Sequence, residues 1–122
     1  MKSSKILLID DNGDTRGMLS LMLSVEGYRV TAVADSASAF NILQSEEFDL
    51  VLTDILMPDI DGLELIRRIR KDYPDLKIVA MSAGGRIGPE EYLKIATRLG
   101  AVAVLRKPFT QQEMLASIRS AL

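Results

Sequence analysis

The feature that most constrains this chain is a repeated punctuation: a short apolar run halts on a polar residue, a stretch of helical periodicity follows, and the pattern recurs. Lys5-Ile6-Leu7-Leu8-Ile9 stops at Asp10-Asp11, Tyr28 to Val33 forms a second β-rich run, and Leu50-Val51-Leu52-Thr53 stops at Asp54. Lys77 to Met81 ends on Ser82, and Ala101 to Leu105 runs into Arg106-Lys107-Pro108-Phe109. Apolar runs of this length, bounded by turn residues, suit strands buried on both faces. Strands that alternate with helices make βα units around a parallel sheet, with right-handed crossovers. The spacing therefore predicts an α/β domain of five strands and five helices.

Local signals set the expected helices. The first carries Met18, Leu21, Met22 and Val25 on one apolar stripe and ends at Gly27,. The second starts at an N-cap of Asp35 or Ser36 and turns Phe40 and Leu43 inward,. The third runs from about Gly62 to Asp72, with Leu63, Ile66 and Ile69 or Arg70 near one face, and stops before Tyr73-Pro74,. The fourth begins near Pro89 and ends at Leu99,. Thr110 and Glu113 form a capping box for the fifth, which directs Met114 or Leu115, Ile118 and Leu122 towards the sheet,.

Composition narrows the chemistry. With 122 residues, 48% of them hydrophobic, the chain is expected to be one globular domain spanning 1–122,. A net charge of -2 supplies no basic field for nucleic acid,. No run is long enough to span a bilayer and no signal-peptide core precedes the first strand, so a cytoplasmic protein without membrane attachment is expected. The absence of Cys and His removes thiolate and imidazole chemistry and the usual transition-metal ligands, so any metal is a hard cation held by oxygen,.

The carboxyl ends of parallel strands share one edge of the sheet, where such folds bind ligands. That edge collects Asp10, Asp11, Asp54, Ser82 and Lys107. Asp54 is followed by a loop, Ile55 to Asp61, in which Pro58 has no amide to donate,. Taken singly these residues also read as helix caps, a turn hydroxyl and a surface amine. Taken together, three carboxylates call for a cation, and Mg2+ suits them because it accepts carboxylate, carbonyl, water and phosphate oxygens. A lysine and a hydroxyl opposite complete a phosphoryl site.

The set Asp10-Asp11, Asp54 with Met57-Pro58 and Asp61-Gly62, Ser82-Ala83 and Lys107-Pro108-Phe109 resembles the receiver domain of bacterial two-component response regulators, over essentially the whole chain. The resemblance implies a flavodoxin-like sheet of order 2-1-3-4-5 with helices on both faces. It implies that Asp54 is the phosphoacceptor, taking a phosphoryl group from a phosphohistidine on a sensor histidine kinase or a histidine phosphotransfer protein. Asp11, Asp54 and the backbone carbonyl of Leu56 would bind Mg2+, with Asp10 helping through a water. Lys107 and Ser82 would hold the phosphoryl oxygens, and the Lys107-Pro108 peptide would be cis. The chain would then be a signalling switch for a downstream protein target, catalysing only its own phosphorylation and slow dephosphorylation.

Two departures stand out. Val104 occupies the position, three before the lysine, where the family commonly has an aromatic residue. The loop after Ser82 is long and glycine-rich, with Ala83, Gly84, Gly85 and Gly88, and is expected to be the mobile output element,. Two other function classes compete: a small Mg2+-dependent phosphohydrolase with an aspartyl nucleophile, and a phosphorylation-independent interaction module on the same fold. The first needs a cap that a chain this short does not offer.

Overall fold

A computed structural model describes residues 3–55, 62–82 and 89–122, the side chains at 89, 90, 92 and 93 excepted. Its elements are β1 (Lys5–Ile9), α1 (Gly13–Val25), β2 (Arg29–Val33), α2 (Ser36–Leu43), β3 (Leu50–Asp54), α3 (Gly62–Asp72), β4 (Lys77–Ser82), α4 (Pro89–Leu99), β5 (Ala103–Arg106) and α5 (Gln111–Ala121). All strand pairs are parallel and the sheet order is β2-β1-β3-β4-β5, the flavodoxin-like arrangement.

Because crossover helices cover both faces, the central strands are apolar on both sides. All five residues of β3 are buried. On one face Leu7, Ile9, Val51 and Ile78 pack with Leu43 of α2, Ile66 of α3 and Ala96 of α4. On the other, Ile6, Leu8, Leu52 and Met81 pack with Leu19 and Leu23 of α1 and Met114 and Ile118 of α5. Burying a side chain of this size contributes roughly 1.5–3 kcal/mol, so the two cores fix β1, β3 and β4 firmly.

The expected caps form. Asp35 is the N-cap of α2 and accepts from the Ser38 amide at 2.7 Å. The capping box of α5 is complete, with Thr110 and Glu113 exchanging bonds of 3.0 Å. The Lys107-Pro108 peptide is cis.

Three details differ from the sequence expectation. The stripe on α1 is not its inner face: Met18, Leu21 and Val25 are exposed, Met22 alone of the four packs partly buried against the core, and Leu19 and Leu23 take the core. β5 starts at Ala103 rather than Ala101, because the Ala101 amide still donates to the Ala96 carbonyl at the exit of α4. Leu122 lies past the last turn of α5 and stays 44% exposed.

Candidate functional site

The register of the sheet brings the polar strand ends to one edge. Asp10 follows β1, Asp54 closes β3, Ser82 closes β4 and Lys107 follows β5. Carboxylate oxygens of Asp10, Asp11 and Asp54 lie within 4.8 Å of one another, the one such grouping of potential metal ligands among the described residues. Asp10 and Ser82 are fully buried, Asp54 is 7% exposed, and Asp11 faces solvent.

Lys107 spans this cluster. Its Nζ stands 3.1 Å from Asp10 Oδ2 and 3.3 Å from Asp54 Oδ2. Burial disfavours the ammonium, but the carboxylates of Asp54 and Asp10 outweigh it and hold the lysine pKa above its ordinary value,. The lysine backbone is tied to the same edge, since the Lys107 amide donates to the Ser82 carbonyl at 2.9 Å.

Asp10 is locked from every side. Its amide donates to the Val33 carbonyl at 3.2 Å. Oδ1 accepts from the Asn12 amide at 3.0 Å, and its carbonyl accepts from Arg16 Nη1 at 2.9 Å. A carboxylate so held is a fixed negative charge, while exposed Asp11 beside it is open to an incoming ligand. Asn12 also caps α1, accepting from the Thr15 amide at 3.0 Å. Beneath Asp54, the buried Thr53 hydroxyl donates to the Asp54 carbonyl at 2.9 Å.

The structure thus brings Asp10, Asp11, Asp54, Ser82 and Lys107, each anticipated from strand ends, to one edge. Pro108 follows at the cis peptide. The Leu56 carbonyl and the loop residues Ala83, Gly84, Gly85 and Gly88 lie outside the described residues. Sequence reasoning missed Arg16, Asn12 and Thr53. Asn12 was findable as an N-cap type before Gly13, but nothing in the sequence pairs Arg16 with a backbone carbonyl six residues earlier.

The donor set fits a hard divalent cation. Among the described residues three carboxylates face the Lys107 ammonium, with the Arg16 guanidinium on the Asp10 backbone carbonyl; all ligand atoms are oxygen, and their spacing lets one ion reach all three,. Nothing in the set offers the nitrogen or sulfur that a softer metal prefers.

Residues 6–119 match the family model for the response regulator receiver domain. The chain is 38% identical over 120 residues to the response regulator receiver protein CpdR of Brucella abortus, covering 97% of this chain and 96% of that protein. It covers only 25–49% of several transcriptional regulators that it also matches. A solved CheY-like receiver domain protein from Methanospirillum hungatei superposes with a TM-score of 0.89 at 27% identity, over 98% of this chain and 93% of that one. Response regulator protein TrrA of Thermotoga maritima, solved in complex with Mg(2+)-BeF, superposes at 0.86 with 29% identity, over 98% and 99%. The chain belongs to the response regulator receiver domain family, the signalling module of two-component systems. No helix among the described residues is long and apolar enough to cross a membrane.

Proposed function

We propose that this chain is a Mg2+-dependent phosphoacceptor whose acceptor is Asp54, and that residues 1–122 form one receiver domain acting in the cytoplasm. The observation that carries the reading is the Lys107 ammonium shared between Asp10 and Asp54, beside exposed Asp11. In the transfer, a carboxylate oxygen of Asp54 attacks the phosphorus of a phosphohistidine, a P–O bond forms, and the P–N bond breaks. The released imidazole takes its proton from solvent. These 122 residues contain no His, so the phosphohistidine lies outside them, on a sensor histidine kinase or a histidine phosphotransfer protein.

Asp11 and Asp54 would hold Mg2+, with fixed Asp10 adding its charge. Bound there, the ion supplies neutralisation of phosphoryl oxygens as charge spreads over them. Lys107 exchanges its contact with the Asp54 carboxylate for a phosphoryl oxygen, keeping its charge paired before and after transfer. Ser82 offers its hydroxyl to another of those oxygens. The bonds made at the site then bias the surface presented to a downstream protein. No nucleic acid or membrane contact is needed for this output. The complex of TrrA with Mg(2+)-BeF supports the assignment of ion and phosphoryl site by family likeness.

The test is incubation with Mg2+ and a small acyl-phosphate donor, read by intact mass. A single labile phosphoryl adduct is expected in the parent and none in Asp54→Asn. An adduct that persists in Asp54→Asn, or that forms equally well in chelator, would contradict the reading.

A further inference from the structure

One glycine near the site has no space for a side chain. A Cβ built on Gly62 would stand 2.2 Å from the Ile55 Cα, 2.4 Å from its carbonyl oxygen and 2.5 Å from its carbonyl carbon. These are backbone atoms, so no rotamer change relieves the overlap. Ile55 is the residue after Asp54, and it is held from three directions. Its side chain is 1% exposed within the core that also contains Leu65 and Ile66. Its amide donates to the Met81 carbonyl at 3.0 Å, continuing the β3–β4 ladder past Asp54. Its carbonyl accepts from the Gly62 amide at 3.0 Å, which joins the end of β3 to the start of α3.

We propose that Gly62 is a positioning residue of the acid site: the bare α-carbon lets α3 start against Ile55, and that contact sets where Asp54 stands relative to Asp10 and Asp11. The inference rests on the function proposed above. Any side chain at 62 must push the Ile55 backbone or withdraw the first turn of α3. Either movement strains the bond from Gly62 to Ile55 and shifts the peptide that carries the acceptor. Core packing resists movement of the Ile55 side chain, so the displacement passes into the backbone next to Asp54. A cluster whose ligand oxygens lie within 4.8 Å of one another has little tolerance for that shift,.

Gly100 supplies a control. It lies at φ +121, a Cβ there would stand 2.6 Å from Arg70 Nε, and it sits at the exit of α4 with its carbonyl accepting from Arg70 Nη2 at 2.7 Å. Ala at 100 is therefore strained and destabilising but lies outside the acid cluster.

The experiment is Mg2+ affinity by calorimetry in the parent, Gly62→Ala and Gly100→Ala, with stability measured alongside. Gly62→Ala is expected to weaken Mg2+ binding about 10- to 100-fold, as loss of groups that orient ligands does. Gly100→Ala should keep parental affinity despite its lower stability. If Gly62→Ala does not fold in plain buffer, the same titration in sucrose, with folding checked by circular dichroism, gives the same two outcomes. Parental affinity in folded Gly62→Ala would overturn the inference alone. Absence of Mg2+ binding in the parent would instead overturn the proposed function on which it rests.

Discussion

The two ends of the sheet treat charge in opposite ways. At the amino end, charges are satisfied locally. The Lys5 amide donates to Asp49 Oδ2 at 2.7 Å, and the Lys5 ammonium lies 3.8 Å from Glu46 and over the Phe48 ring at 4.9 Å. The Arg29 guanidinium donates twice to the Ser3 carbonyl. At the carboxyl end, three carboxylates cluster, and the Lys107 ammonium is shared by two of them, Asp10 and Asp54. A surface hollow lined by Leu43, Phe48, Tyr73 and Leu76, with Glu46, Glu47 and Asp75, is at the amino end, away from Asp10, Asp11 and Asp54. What marks the site is charge of one sign held rigidly together, because it persists only where the surrounding structure or a ligand compensates it.

The contrast breaks most sharply at Lys107. Lys107→Met takes the ammonium away from buried Asp10, and is expected to cost about 2 kcal/mol at neutral pH in chelator, measured by urea unfolding,. Its raised pKa fixes the pH sense. The lysine's contribution is fully present below the unfolded-state value of about 10.5 and is lost only as pH climbs through the higher folded-state value,. Parent and variant should therefore converge in strong alkali.

Asp11→Asn sharpens the comparison by its sign. Removing one exposed carboxylate relieves repulsion, so metal-free stability should rise by roughly 1 kcal/mol. Mg2+ should stabilise the parent in proportion to the logarithm of its concentration above Kd and should lose most of this effect in the variant. At the amino end the equivalent change has the opposite sign. Asp49→Asn weakens the bond from the Lys5 amide and should cost about 0.5–1 kcal/mol, with no Mg2+ dependence,.

The smallest effect belongs to a surface network on α3. The hydrogen bond from Arg67 to Glu64, joined by attraction to Arg67 and Arg68, lowers the Glu64 pKa to about 2. A depressed carboxylate contributes stability above its unfolded-state value of 4.5 that is lost as pH falls through about 2,. Because the pair is solvent-exposed, acid titration of Glu64→Gln against the parent should show only a shallow, salt-sensitive difference in that window.

Much of this architecture is legible in the sequence because strand, cap and turn signals agree along the chain. The run ending at Asp54 reads as a fully buried strand and is one, and the Thr110–Glu113 box forms as written. The α1 face was not legible. That helix carries two apolar stripes, and periodicity alone does not say which meets the sheet; Leu19 and Leu23 do, while Met18, Leu21 and Val25 face solvent,. The five polar residues at the site were readable because parallel topology places strand ends together. Arg16 on the Asp10 carbonyl and the close approach of Gly62 to Ile55 were not, since the first is a side chain folded back on a carbonyl and the second a contact between backbone turns, both of which only the folded chain brings together.

The most direct test of a carboxyl end that clusters carboxylates against an amino end that pairs its charges is an amide-resolved NMR titration with Mg2+, followed by a small acyl phosphate. The expected result is saturable shifts at Asp10, Asp11, Asp54 and Lys107, a further step on adding the donor, and no response at Lys5 or Asp49. Saturable shifts centred on the amino end, or a carboxyl end indifferent to both additions, would contradict it.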